Sequence, residues 1–228
     1  MNIAILDLCL PHAEFENHGS IGSMVHTWIA PHLPEAGFTI LHIAGGTPLP
    51  DAAAYDGYVL TGSEKGVYDE ADWIPPLKDF LNELRVAKIP VFGVCFGHQI
   101  MAEAFGGKAE KADKGFIVGA QTYQTDEGTI AAHAMHQDQV TVAPPGAQIT
   151  ASAPYCPVAA LAYDFPAASI QFHPEYRRAF VSDAVDVFEG ELLTPEEAAR
   201  SRASFAATVE EDLYGAQAAK LFRTALAH

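Results

Sequence analysis

The sequence predicts an α/β fold: a mostly parallel, open β-sheet with helices on both faces, extended on one side by antiparallel strands. Three observations predict it. From Met1 to Gly107, short apolar runs alternate with helical patterns through short connections, as parallel strands joined by helical crossovers require. One of these runs leads into Gly93-Val94-Cys95-Phe96-Gly97, a cysteine with a small residue two positions to either side, which suits a sharp strand-to-helix turn. From Lys108 to Phe172 the pattern changes to short β-like pieces separated by turn residues, which suit antiparallel strands and a small hairpin layer.

Element by element, residues 2–10 open as an apolar strand, and 20–36 carry a helical pattern behind Gly19-Ser20. Second and third strands are expected over 38–44 and 57–61. Residues 73–88 suit a helix whose first turn holds Pro75 and Pro76, where proline is tolerated because the first amides of a helix have no internal partner. Strand returns over 89–94, and a helix follows Cys95 as far as Gly106-Gly107. The later β-like pieces are 116–123, 129–134, 139–143, 158–163 and 168–172. Beyond these the composition is helical and rich in alanine and glutamate, with Thr194-Pro195-Glu196-Glu197 a good helix start. The expected organisation is one domain over 1–180 and a helical segment over 181–228 packed on it.

Composition narrows the function. The chain has 228 residues, of which 49% are hydrophobic and 18% charged, enough for a full core. Its formal charge of −16, from 29 acidic against 13 basic residues, repels phosphate backbones and anionic lipid, so neither nucleic acid nor membrane is an expected partner. No basic leader opens the chain and no run reaches the roughly 20 apolar residues of a membrane span, so a cytoplasmic location is expected. Cys9, Cys95 and Cys156 are odd in number and unrelated in position, which argues against a disulfide framework; Cys9 and Cys156 are expected to be structural. Among ten histidines, His133 and His136 are the nearest pair at helical spacing, yet no second ligand pair accompanies them, and no metal site is expected.

The chemistry lies in two segments about 75 residues apart. A thiol at Cys95 would sit at the N-terminus of the following helix, where unpaired amides and the helix dipole favour a thiolate. The second segment, Ile170-Gln171-Phe172-His173-Pro174-Glu175, suits a buried strand ending in a rigid extended turn, since the residue before a proline is driven out of helical geometry. Residues two apart on an extended chain project to the same side. His173 can then face Cys95 while Glu175 holds the imidazole tautomer, giving a nucleophile, a base and an orienting carboxylate. In an open parallel sheet, sites lie beyond the carboxyl ends of the strands, where Cys95 falls.

These two segments resemble the signatures of the class I, or triad-type, glutamine amidotransferases, over about residues 1 to 180. Leu60-Thr61-Gly62-Ser63 is similar to that family's oxyanion loop, and Met135-His136-Gln137-Asp138-Gln139-Val140 to its Ser-His-Gly-Asp-x-Val turn. Tyr68-Asp69 and Trp73 give it the flavour of the GMP synthase amidotransferase domain and its free-standing relatives. The resemblance implies a flavodoxin-like sheet and hydrolysis of a γ-glutamyl amide, that of glutamine or another γ-glutamyl small molecule, through a glutamyl thioester at Cys95, with no cofactor. It implies an oxyanion hole from the backbone amides of Ser63 and Phe96, and substrate contacts at Gly62 and Gln99. Ser63 stands where the family has a second glycine. No phosphate-binding loop of the kinds found in nucleotide-using synthases occurs in the sequence, so an ammonia acceptor would be a separate synthase chain. A free-standing amidohydrolase is the expected function; the glutaminase subunit of a two-chain synthase and the γ-glutamyl peptidase are its alternatives, and an inactive regulatory or binding domain is the alternative of a different class.

Overall fold

The computed structural model describes residues 1–227; His228, the last residue of the expected helical segment, lies outside them. In chain order the elements are β1 (Asn2–Asp7), α1 (Ile21–Ile29), β2 (Gly37–His42), β3 (Gly57–Leu60), α2 (Ile74–Ala87), β4 (Val91–Val94) and α3 (Phe96–Ala104). Then follow β5 (Lys108–Lys111), β6 (Ile117–Thr125), β7 (Gly128–His136), β8 (Asp138–Val142), β9 (Gln148–Ala153), β10 (Cys156–Ala162), β11 (Ala167–Ile170), α4 (Arg178–Phe188), α5 (Pro195–Ser204) and α6 (Leu213–Leu226).

Nine strands form one sheet in the order β2-β1-β3-β4-β11-β10-β9-β6-β7, and β5 pairs with β8 as a small separate layer. The five strands from β2 to β11 are mutually parallel, whereas each pairing from β10 to β7 is antiparallel. Leu60 of β3 lies opposite Gly93 of β4, and Val94 opposite Ile170 of β11, so three neighbouring strands end together at one edge. Residues 61–63, 95–97 and 171–175 all leave the sheet there.

Each face of the sheet buries its own apolar cluster. On one side Val25, Trp28 and Ile29 of α1 and Tyr214, Ala218 and Phe222 of α6 cover Ile3, Ile5, Val59 and Phe92. On the other, Leu77, Phe80, Leu81 and Leu84 of α2 and Ile100 and Met101 of α3 cover Ala4, Leu6, Tyr58 and Leu60. The stripe of α2 repeats at intervals of three and four, one face of an α-helix. Phe180, Val181 and Val185 of α4, Ala198 of α5, Leu193 and Phe205 form a third cluster with Val118 of β6. One close approach depends on glycine: a Cβ at Gly57 would stand 2.7 Å from Cε1 of Phe222, so only a bare backbone lets α6 lie this close to β3.

The structure departs from the sequence expectations where backbone chemistry outranks pattern. The helix expected over 20–36 ends at Ile29 in a short 3₁₀ turn through His32, because Pro31 has no N–H to continue the ladder. β5 and β9 were not expected as strands. Lys-Ala-Glu-Lys buries only Ala109, and small and polar residues dilute the alternation over 148–153. Residues 176–227 hold the three helices α4, α5 and α6, and α5 begins where the sequence places a helix start, at a capping box of Thr194 and Glu197.

Candidate active site

Cys95 closes the turn between β4 and α3 with φ 52° and ψ −103°, a left-handed backbone that a residue with a Cβ adopts only under constraint. Its neighbours supply the constraint. The Cys95 N–H donates to the Ile170 carbonyl at 2.8 Å and the Gly97 N–H to the Thr61 carbonyl at 3.1 Å, pinning the turn to the strands on both sides. A Cβ at Gly97 would stand 2.8 Å from the Leu60 carbonyl oxygen, and one at Gly93 2.7 Å from the Gly97 backbone, so glycine at both positions lets helix and strands approach. The thiol is buried at the N-terminus of α3.

Beyond β11 the chain does not stay extended as expected: it bends at Gln171 and Phe172 and turns at Pro174 and Glu175, where the Tyr176 N–H donates back to the His173 carbonyl at 3.4 Å. It is tied on two sides, Gln171 N–H donating to the Ala159 carbonyl and His173 N–H to the His133 carbonyl, each at 2.8 Å. The second tie comes from β7, the far edge of the sheet. β6 pairs with β9 over two residue pairs only, and the β6–β7 hairpin then departs from the sheet and brings His133 and Met135 back to the strand ends. His173 Nδ1 lies 2.7 Å from Glu175 Oε1, with both side chains buried. Burial alone would lower the His173 pKa, but the Glu175 carboxylate and the Cys95 sulfur raise it to about 10. Its Nε2 has no partner in the described chain. The Tyr176 ring stacks on the imidazole at 4.0 Å and 5°, fixing its plane.

Gly62 locates the meeting point. A Cβ built there would stand 3.4 Å from His173 Cε1, 3.7 Å from Cys95 Cβ and 3.8 Å from Tyr176 Oη, so thiol, imidazole and phenol border one small space. Thr61 sets the loop beside it: its hydroxyl accepts from Leu8 N–H at 2.9 Å and donates to the Gly62 carbonyl at 2.8 Å. A trans peptide points its N–H opposite to its carbonyl, so holding Gly62 O fixes the direction of Ser63 N–H. Among the described residues, neither Ser63 N–H nor Phe96 N–H donates to another group of the chain. Ser63 itself keeps its side chain busy, accepting from Lys65 N–H at 3.2 Å.

Gln99 is buried one helical turn beyond Cys95, with its amide nitrogen donating to the Asp138 carbonyl at 2.9 Å and to Gln171 Oε1 at 3.2 Å. Both of its amide hydrogens are therefore engaged inside the chain. The geometry adds Thr61, Gln171 and Tyr176 to the residues expected from sequence. Thr61 had a signal, since it lies in the stretch Leu60-Thr61-Gly62-Ser63 that resembles the family's oxyanion loop; Gln171 and Tyr176 carried none, because the chain bends at Gln171 and Phe172 and turns at Pro174 and Glu175, so strand alternation does not govern which way they face.

The remaining histidines and cysteines are held differently. His98 donates from Nε2 to the Val158 carbonyl at 3.1 Å and accepts at Nδ1 from Ser169 at 2.7 Å, and burial lowers its pKa to about 4. Burial and the nearby His173 likewise lower His133 to about 4 and His136 to about 3. The Cys156 thiol is pushed up to about 12 by burial and by the neighbouring Cys95, and that of Cys9 is pushed up by burial and the Glu64 carboxylate. A cavity of about 220 Å³ opens beside Pro174 and Glu175, bordered by Thr27, Trp28, Arg177 and Phe180, but neither Cys95 nor His173 lines it. Among the described residues, no helix is long and apolar enough to cross a membrane.

The family model for glutamine amidotransferase class-I matches residues 22–179. Gamma-glutamyl peptidase 3 of Arabidopsis thaliana is 32% identical over 177 residues, covering 71% of each chain, and gamma-glutamyl peptidase 5 of the same plant is 31% identical over 60% of each. A glutamine-hydrolyzing GMP synthase of Pseudomonas aeruginosa is 36% identical over 54% of this chain, which spans only 26% of that synthase. Among solved structures, a glutamine amido transferase from Methylobacillus flagellatus superposes with a TM-score of 0.75 at 16% identity, covering 98% of this chain and 93% of that one, a likeness of fold.

Proposed function

Because this chain belongs to the class-I glutamine amidotransferase family, we propose that it is a cysteine amidohydrolase cleaving the γ-amide of glutamine or of a γ-glutamyl compound. One observation carries the reading: a cysteine held at φ 52° by the turn after β4 shares a small space with a histidine whose far nitrogen is 2.7 Å from a buried carboxylate. Cys95 is the nucleophile, His173 the acid and base, and Glu175 the group that orients and charges the imidazole.

With its pKa raised to about 10, His173 is an imidazolium at neutral pH, and in this mechanism Cys95 reacts as its thiolate. The thiolate attacks the γ-carbonyl carbon, and charge moves onto the carbonyl oxygen, which the amides of Ser63 and Phe96 receive. Collapse breaks the C–N bond as His173 passes its proton to the leaving nitrogen, so ammonia or an amine departs and a glutamyl thioester remains. The neutral imidazole then takes a proton from water, the hydroxide attacks the thioester carbon, and glutamate leaves as the thiolate and imidazolium are restored. Glu175 stabilises the imidazolium without accepting its proton.

The similarity to gamma-glutamyl peptidases extends over most of both chains, which favours γ-glutamyl amides with a substituted nitrogen. The similarity to GMP synthase favours a second reading, a glutaminase passing ammonia to a synthase chain. The test is release of ammonia or amine by the purified chain from glutamine and from a panel of γ-glutamyl peptides, with Cys95→Ala as the control. Cys95→Ala is expected to lose about 10⁴-fold or more, and a glutamine-like chloroketone to label Cys95 while sparing Cys9 and Cys156. Hydrolysis that survives in Cys95→Ala removes the mechanism. Turnover well below about 1 s⁻¹ on every substrate, rising when a synthase chain is added, selects the second reading.

A further inference from the structure

Gln171 is completely buried, and its amide nitrogen lies 3.5 Å from the sulfur of Cys95. Which end of an amide faces a neighbour is decided by the rest of its hydrogen bonds, and here the decision is made two residues away. Gln99 lies 2.9 Å from the backbone carbonyl of Asp138, a group that only accepts, so Gln99 must present its NH₂ there. The second hydrogen of the same NH₂ goes to Gln171 at 3.2 Å, so Gln171 must offer its oxygen to Gln99. Its own NH₂ is then left for the sulfur. Turned the other way, Gln171 would oppose one NH₂ with another and set a second carbonyl oxygen against the sulfur, which already has the Met135 carbonyl 3.9 Å away.

We infer that Gln171 is a hydrogen-bond donor to the Cys95 thiolate, locked in that sense by the relay from the Asp138 carbonyl through Gln99. The inference rests on Cys95 being the nucleophile. His173 gives up its charge in the middle of the cycle, whereas the amide of Gln171 is a donor at every pH and at every stage. It therefore serves the thiolate both when sulfur attacks and when sulfur leaves the thioester. Gln99 is a positioning residue acting through Gln171.

The experiment is the rate of Cys95 alkylation by iodoacetamide, in which sulfur displaces iodide, followed peptide by peptide from pH 4 to 10. It is run on the wild-type chain and on Gln171→Met, Gln171→Glu and Gln99→Met, with hydrolysis rates and thermal melts measured in parallel. Gln171→Met keeps the length and removes the donor. Its alkylation is expected to slow about ten-fold on the acid side of the profile, moving the midpoint upward, with the alkaline plateau retained. Gln171→Glu sets a carboxylate beside the sulfur and is expected to shift the midpoint further. Gln99→Met frees Gln171 to turn, and is expected to shift it less in the same direction. Should Gln171→Met fail to fold, Gln99→Met carries the test, since it alters nothing that touches the sulfur. Midpoints that stay at the wild-type value in the folded variants, while Cys95 is still the alkylated residue, overturn the donor role and leave the nucleophile standing. A wild-type chain in which Cys9 or Cys156 reacts ahead of Cys95 overturns both.

Discussion

Replacing Glu175 by glutamine removes one charge while nearly preserving shape, so its effect on His173 can be worked from the geometry. The carboxylate oxygen is 2.7 Å from Nδ1, which puts the two charge centres about 4 Å apart; at an effective dielectric of about 20 their attraction is about 4 kcal/mol, or about 3 pH units. Loss of that attraction lets burial pull the imidazole down from about 10 to about 7. In the proposed mechanism His173 acts as an acid in its imidazolium form, and the imidazolium exists below its pKa. The alkaline limb of kcat/KM against pH is therefore expected near 10 in the wild type and near ~7 in Glu175→Gln. At neutral pH about half of the variant's histidine is still imidazolium, so titration alone costs about two-fold; loss of the carboxylate that fixes the imidazole tautomer brings the expected fall to about 10²-fold to 10³-fold, less than in His173→Ala, because the base itself remains. Stability follows the same sign. A histidine whose folded pKa is raised contributes stability that is complete below about 6.5 and lost as pH rises through the folded value. The wild type is thus expected to melt at lower temperature at pH 10.5 than at pH 8, and the variant to show little of that loss. The measurements are a pH–rate profile on the best γ-glutamyl substrate and melts at both pH values. An alkaline limb within half a unit of the wild type in a folded Glu175→Gln variant would refute the coupling.

The remaining expectations concern the space beside Gly62, the α6 helix and acid. Gly62→Ala adds a methyl at ordinary contact distances of 3.4 to 3.8 Å, so the melt should be little changed while kcat/KM falls by about 10²-fold; wild-type turnover in this variant would move the substrate elsewhere. Phe222→Ala empties a fully buried site between α6 and β3 and is expected to cost about 3–5 kcal/mol in urea unfolding; a cost below ~1 kcal/mol would show that α6 contributes little to the fold. His98, His133 and His136 are buried neutral, with pKa values lowered to about 4, 4 and 3. The unfolded chain takes up protons on them first, so stability is complete above about 6.5 and falls between there and about 4, by about 2 kcal/mol per histidine at pH 5. Equal urea midpoints at pH 7 and pH 5 would contradict their burial as neutral groups.

Sequence alone determined what is local or periodic in this protein. The alternation of apolar runs and helical stripes set the parallel half of the sheet, since buried strands and amphipathic helices each impose their own spacing on apolar residues. Gly93-Val94-Cys95-Phe96-Gly97 announced the turn, because only glycine admits the close approaches measured at 93 and 97. His173-Pro174-Glu175 announced an imidazole with its carboxylate two residues on, although a turn closed by Tyr176 N–H on the His173 carbonyl, not the extended chain expected, brings the two together. Only the tertiary structure decided what those groups meet. The β6–β7 hairpin returns from the far edge of the sheet to bond His173 through His133, and no local pattern encodes a pairing so distant in the strand order. Pro31 overruled a helical stripe because one missing amide outweighs a periodic preference. The direction in which Gln171 faces the thiol depends on a carbonyl at Asp138. A hydrogen-bond network has a sense only once all of its members are in place.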